Sequence, residues 1–219
     1  MKIDAIITCV GEKSSKFLEL ITTKNKIYFD HTWILTDWKD TTTFNLTQQY
    51  ELGCIATDSF YKNGAKFNRG AVFNEVFPSI ENDWICLMDI DIMLPTQAGR
   101  YLLNQELNKE YLYGARRILV PSMEELKKED KLALECPFGV GFGYFQLFNK
   151  TCSTVQKYGL HYPETNDVLE GDWIFRNRWG NMNQSLTECK DLLKELPFKL
   201  WHLGAPGNIS FNHGKGFIS

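Results

Sequence analysis

Asp89 and Asp91 stand one residue apart at the end of the apolar run Trp84-Ile85-Cys86-Leu87-Met88. In extended backbone, residues two apart project to the same side, so the two carboxylates share a face while Ile90 turns into the core. Two like charges closing so apolar a run are costly unless a cation neutralises them. Mg2+ or Mn2+ takes hard oxygen ligands and is typically held by one or two carboxylates, with substrate phosphates completing the shell. The pair therefore points to a divalent metal and a diphosphate. The alternative is that both aspartates cap the following turn or pair with surface Arg or Lys.

Other groups with related chemistry are spread along the chain. Arg69 offers fixed donors for phosphate oxygens, or else sits solvated at a helix start. Asp172 can act as a general base, or cap the helix that follows it, where a carboxylate suits the helix dipole. His202, beside Trp201, reads as a metal ligand in view of the upstream pair and as a satisfied core histidine without it. Asn208 to Gly216, with His213, Lys215 and two glycines, has the composition of a flap over phosphates or of an unstructured tail.

Alternating strands and helices must position these residues. Ile3 to Cys9 reads as a strand, followed by a helix opening at Ser14-Ser15-Lys16. Thr32 to Thr36 is a second strand closed by Asp37, and Cys54 to Thr57 a short third one. Phe67, Ala71, Val72, Val76 and Ile80 follow a helical period. The continuous run Trp84 to Met88 suits a central strand covered on both faces. This is a doubly wound α/β half, in which ligands sit beyond the carboxyl ends of the strands, where Asp37, Asp89 and Asp91 lie. Beyond it, Tyr111 to Pro121 reads as a strand and Ser122-Met123-Glu124-Glu125 as a capped helix start. Helices are expected near Asp172 to Trp179 and over Ser185 to Leu196, the latter on a stripe of Leu186, Cys189, Leu193 and Leu196.

A length of 219 residues fits one domain with a substantial core. The formal charge of -3 gives no footprint for nucleic-acid backbone binding. Six cysteines without a Cys-x-x-Cys pair read as buried reduced thiols. The chain enters an apolar strand directly after Met1-Lys2, without room for a secretory leader, and no apolar run approaches the roughly 20 residues of a membrane span. A soluble cytoplasmic protein is expected, in the host cytoplasm if a phage or virus encodes it.

Trp84 to Leu94, WICLMDIDIML, resembles the DxD segment of glycosyltransferases with the GT-A fold, especially family 2-like enzymes. Four more segments follow the family's order. They are Ala5 to Val10, Asp37, Asn68-Arg69-Gly70-Ala71 with Asn74, and Glu170-Gly171-Asp172-Trp173 with Arg176 and Arg178. Leu200 to Gly204 is similar to the family's late His-containing segment. The resemblance implies a single α/β domain over residues 1–219, of the GT-A (Rossmann-like) fold, with a central, mostly parallel sheet flanked by helices. Residues 1–95 would bind the nucleotide sugar and residues 96–219 the acceptor. It implies that Thr8, Val10, Asp37, Arg69, Asp89 and Ile90 contact the nucleotide sugar. Asp91, Asp89 and His202 would hold Mn2+ or Mg2+, and Asp172 and Glu170 would be catalytic. The family has adjacent Glu-Asp where this chain interposes Gly171, which leaves open which carboxylate reaches the acceptor. The stretch Gly139 to Phe145 falls where the family builds its acceptor wall.

The function so implied is metal-dependent transfer of a sugar, with inversion, from a nucleoside-diphosphate sugar, a UDP-sugar foremost. The acceptor hydroxyl could belong to a glycan, a lipid-linked sugar, a protein or a modified nucleobase; a DNA acceptor would require a basic surface near Arg116, Arg117, Arg176 and Arg178. One alternative is a nucleotidyltransferase that makes nucleotide sugars, although Val10-Gly11-Glu12-Lys13 does not supply its glycine-rich, Arg-containing loop. Another is a non-catalytic carbohydrate-binding domain. A phosphatase is disfavoured because Ile92-Met93, without a Thr, follows Asp91.

Overall fold

Ile3, Ala5 and Ile7 pack on one side of the first strand and Ile6 on the other, all buried, so both faces of that strand must be covered. The same holds in the run that carries the aspartates, where Cys86 and Met88 join one apolar layer and Ile85 and Leu87 the other. Helices supply the cover. The computed structural model describes residues 1–127, 134–135, 143–166, 168–180 and 192–203.

In chain order the elements are β1 (Ile3–Thr8), α1 (Glu12–Asn25), β2 (His31–Asp37), α2 (Thr41–Gln49), β3 (Gly53–Thr57) and α3 (Arg69–Val76). There follow β4 (Trp84–Asp89), β5 (Ile92–Met93), α4 (Thr96–Asn104), β6 (Leu112–Val120), α5 (Met123–Lys127) and β7 (Leu134–Glu135). The last are β8 (Phe145–Asn149), α6 (Ser153–Tyr158), α7 (Val168–Arg176) and β9 (Leu193–Leu203). The sheet order is β3-β2-β1-β4-β8-β6-β9-β5, with β7 paired to β6. Its first four strands run parallel, and the second half is mixed, with β8 antiparallel to both neighbours and β6 parallel to β9. The α/β architecture, a central sheet parallel over most of its paired residues and flanked by helices, is the expected one.

Strand order reverses at β1, which carries β2 on one side and β4 on the other. In open α/β sheets such a switch point opens a crevice beyond the strand ends. Thr8 sits at its edge, level with Leu35 of β2 and Asp89 of β4.

Local chemistry accounts for the helix ends near this crevice. Asn68 caps α3 by accepting from the Ala71 N–H at 3.0 Å, and Asp40 caps α2 by accepting from the Thr43 N–H at 3.0 Å. The helix expected over Phe67 to Ile80 gives way after Val76 to a 3-10 turn containing Pro78, which has no N–H for the helical ladder. Ser122 accepts from the Glu125 N–H at 3.2 Å and opens α5 as expected.

Two expectations fail. Leu193–Leu203 is a strand, so the apolar stripe does not mark a helix through Leu196; residues 185–191 of that segment lie outside the described residues. Pairing steps from Gly114 opposite Glu195 to Arg116 opposite Lys199, and Pro197 lies inside this irregularity. Burial therefore falls on Leu196, Leu200 and Leu203, a spacing that imitates a helix. In addition, α7 begins at Val168, which puts Asp172 inside the helix rather than at its cap.

Helix α3 lies close against residues 162–164. A Cβ on Gly70 would stand 2.0 Å from the Pro163 carbonyl oxygen. Gly70→Ala is expected to lose about 1–3 kcal/mol, the usual range for overpacking, in urea unfolding. A wild-type midpoint would contradict that close approach.

Candidate functional site

Arg69, the first residue of α3, is 6% exposed and sits at the centre of one cluster. Its Nη1 donates to Asp89 Oδ1 at 2.8 Å, and its Nη2 lies 3.0 Å from Asp172 Oδ1 and donates to the Gly143 carbonyl at 3.0 Å. The guanidinium also stacks over Phe73, 5.1 Å from the ring centroid. Burial works against its charge, but Asp172 and Asp89 outweigh burial and hold its pKa above the ordinary value.

Asp172 projects from the buried side of α7, while Glu170, two residues earlier, is exposed, so the helix sends the two carboxylates to different surroundings. The buried Tyr162 hydroxyl donates to the same Asp172 Oδ1 that Arg69 contacts. Oδ2 sits 2.9 Å from where a Cβ on Gly143 would stand, so a glycine there leaves the carboxylate its space. Burial pushes the Asp172 carboxyl up to about 7; Arg69 pulls it back, and the charge of Asp89 adds to the rise. A carboxylate in that range exchanges a proton near neutrality, as a general base must.

Asp91 belongs to a second cluster. The backbone leaves the extended conformation at Ile90-Asp91, so the two aspartates take separate partners, although Ile90 is buried as expected. Asp91 is 1% exposed, and its Oδ2 lies 3.0 Å from His202 Nε2. Short strand pairing holds this geometry, with Ile92 opposite His202 and the Leu203 N–H donating to the Asp91 carbonyl at 2.9 Å. The buried Asn25, at the end of α1, grips the same turn by donating to the Ile92 carbonyl and accepting from the Leu94 N–H, at 2.8 and 2.9 Å.

His202 is held from both sides. Its Nδ1 lies 2.9 Å from Arg117 Nη1, and its ring stacks on Tyr144 at 6.2 Å and 11°. A guanidinium can only donate, so Nδ1 accepts, and Nε2 carries the proton toward Asp91. Neither Arg117, named only for a basic surface facing a DNA acceptor, nor Tyr144, within the stretch expected to wall the acceptor, was expected beside His202. The available signal was an Arg pair in an apolar strand, one of which must face inward.

Asp37 lies at the end of β2, away from both clusters. It accepts from the Lys39 N–H at 2.9 Å and from the Tyr61 hydroxyl at 2.8 Å. The Lys39 N–H chiefly, helped by Tyr61 and opposed by burial, holds its carboxyl below the usual range. Trp38 beside it is 59% exposed and Tyr61 45% exposed, leaving aromatic surface at the strand ends. Thr8 and Val10 are partly exposed on the β1 side of the same crevice. Residues 139–142 of the expected acceptor wall and the segment 208–216 lie outside the described residues.

Among the described residues, no group of three or more His, Cys, Asp or Glu side chains converges on one metal-sized gap. Asp91 Oδ2 is the kind of hard oxygen a divalent cation takes, and His202 Nε2, 3.0 Å away, can join it as a ligand once its proton moves to Nδ1, which requires the Arg117 contact to open. Asp89, tied to Arg69, is not part of that pair.

No family model and no curated protein sequence matches the chain. Solved structures do. A mannosyltransferase from Pyrobaculum calidifontis in complex with GDP-Man and Mn2+ aligns with a TM-score of 0.57 and 9% identity, over 94% of this chain and 57% of its own. A glucosyl-3-phosphoglycerate synthase from Mycobacterium tuberculosis in complex with Mn2+, uridine diphosphate and phosphoglyceric acid aligns with a TM-score of 0.54 and 13% identity, over 94% of this chain and 72% of its own. A 4-diphosphocytidyl-2C-methyl-D-erythritol synthase from Anaerococcus prevotii gives 0.50 and 14%, over 96% and 92%. These likenesses establish a GT-A-like fold. Among the described residues no helix is long and apolar enough to cross a membrane.

Proposed function

We propose that this chain is a metal-dependent glycosyltransferase that moves a sugar from a nucleoside-diphosphate sugar to an acceptor hydroxyl, with inversion. The observation that carries the reading is the gathering of Asp89, Asp91, Arg69, Asp172 and His202 around the end of β4, beside the switch-point crevice, in two buried clusters. The resemblance of the DxD segment and the two Mn2+-containing sugar-transferase neighbours support it.

In this reading Asp91 and His202 would hold Mn2+ or Mg2+, which when bound supplies Lewis-acid stabilisation of the departing diphosphate. Asp37 and the backbone around Thr8 and Val10 face the nucleoside, a UDP-sugar being the first donor to test. Asp172 accepts the acceptor's proton as the hydroxyl oxygen forms its bond to the anomeric carbon and the bond from that carbon to the diphosphate oxygen breaks. Tyr162 and Arg69 hold Asp172 Oδ1 and so fix the direction of the carboxylate. Glu170, exposed on the same helix, is left to meet the acceptor.

A DNA acceptor fits poorly, since the four arginines do not form one exposed basic surface. Arg117 is buried, Arg116 pairs with Glu195 at 2.8 Å, and Arg178 donates to the His161 carbonyl.

UDP-sugars and GDP-sugars at 100 times their dissociation constants should raise stability by about 2.7 kcal/mol in thermal unfolding with Mn2+ present. Asp91→Ala should lose that metal-dependent increment. A sugar bound equally well in EDTA, without turnover, would leave a carbohydrate-binding domain instead. The second reading is a nucleotidyltransferase, favoured by the likeness to the diphosphocytidyl synthase. It separates by product: a glycosyltransferase releases nucleoside diphosphate from a sugar nucleotide, a nucleotidyltransferase pyrophosphate from a nucleoside triphosphate.

A further inference from the structure

Arg117 is an inward-facing cation in the middle of β6, and its neighbour shows what an ordinary arginine does there. Arg116 points outward, half-exposed, with its Nε on Glu195 at 2.8 Å. Arg117 is 9% exposed, and its buried Nε meets no hydrogen-bond acceptor among the described residues. Its Nη1 reaches a neutral ring nitrogen of His202 rather than a carboxylate. A buried guanidinium normally has an anion, because desolvating its charge is expensive and each unmade hydrogen bond adds to the cost.

The surroundings make this arginine a built feature. Its guanidinium carbon lies 4.4 Å from the centroid of the Tyr144 ring, which fixes the plane of the fork. Tyr144 is itself pinned by its hydroxyl donating to the Ala115 carbonyl at 2.6 Å. The same ring stacks on His202, whose other nitrogen faces Asp91. One aromatic plate thus holds a cation and the Asp91–His202 pair side by side. Planar, fixed donors of this kind match the oxygens of a phosphate group.

We propose that Arg117 is a binding residue for the diphosphate of the donor, engaging phosphate oxygens that lie against the Asp91–His202 pair. The assignment rests on the transferase reading above and adds a residue that neither sequence motif nor strand end marks. Arg69, committed to Asp89, Asp172 and the Gly143 carbonyl, is the less available of the two buried arginines, and Arg117 takes the role first expected of it.

The test is calorimetric binding of UDP, GDP, the matching nucleosides and inorganic pyrophosphate to wild type, Arg117→Met and Arg116→Met, with and without Mn2+. Arg117→Met should weaken the diphosphate ligands roughly 10- to 100-fold, the loss of charge-assisted hydrogen bonds, and leave nucleoside affinity unchanged. Arg116→Met should bind all of them as wild type does. Wild-type diphosphate affinity in Arg117→Met, or an equal loss for nucleosides, overturns the assignment and leaves the transferase reading intact. Pyrophosphate binding that depends on Arg117, with no nucleoside diphosphate bound by wild type, keeps the anion site and removes the transferase. Binding of neither overturns both. Should Arg117→Met fail to fold, Arg117→Lys keeps the charge but not the fork; a selective loss for the diphosphates supports the proposal, and wild-type affinity overturns it.

Discussion

Asp172→Asn is expected to lower turnover about 10²- to 10⁴-fold while leaving metal-dependent donor binding in place, the range associated with loss of a general base. An amide keeps the shape that accepts from Tyr162 and Arg69 but cannot take the acceptor's proton. Wild-type kcat/KM should fall tenfold per pH unit below about 7, where the buried carboxyl becomes protonated, and this acid limb should vanish from the residual activity of the variant. The sign for stability is the opposite. Burial raises the folded-state value from 3.8 to about 7, so between those limits the folded chain keeps a proton that the unfolded chain has lost. The contribution of this group is full below about 4 and declines as pH rises through 7, by at most about 1.4 kcal/mol per unit. Urea unfolding from pH 4.5 to 8 should therefore show wild type losing stability relative to Asp172→Asn. A flat pH–rate profile in a folded enzyme would remove Asp172 from the chemistry.

Arg69→Met should cost about 3–5 kcal/mol, the range for removing one partner from a buried ionic cluster. The loss is large because Asp89 and Asp172 would then face each other without the cation between them, and the Gly143 carbonyl would lose its donor. Combining it with Asp172→Asn should recover part of the loss, since the second change removes one of the stranded charges. Chemical denaturation of the two single variants and the double variant measures that coupling. A loss under about 1 kcal/mol, or strictly additive effects, would mean that the cluster does not join α3, β4 and α7 energetically.

Much of the first half could be read from the chain because its signals are local. The unbroken run Trp84 to Met88 requires cover on both faces, and β4 is central. Asp37 and Asp89 close their strands as expected. Alternation failed for the aspartate pair because it presumes extended backbone beyond Asp89, whereas the chain turns at Ile90-Asp91 and sends the two carboxylates to Arg69 and His202. β9 was misread because Leu186, Cys189, Leu193 and Leu196 repeat at a helical period in the sequence, yet Leu193 and Leu196 stand in a strand, where Leu193 is only partly buried and Leu196 is core. Arg117 and Tyr162 carried no motif. Their roles come from β6, β8 and β9 lying side by side and from α7 packing on α3, contacts that no local pattern encodes.

The pairing of β5 with β9 has a consequence for the nascent chain. Asp91 and His202 are separated by 111 residues, yet they meet across two paired strands. A ribosome would have exposed the aspartates, the crevice and most of the sheet well before the histidine emerged. Until then Asp91 lacks the imidazole, and its carbonyl lacks the Leu203 N–H. The chain would complete the crevice between β1 and β4 early and bring Asp91 and His202 together only when β9 slides in between β6 and β5, so a truncation before Leu200 should still build the parallel strands β3, β2, β1 and β4 but leave Asp91 without the imidazole.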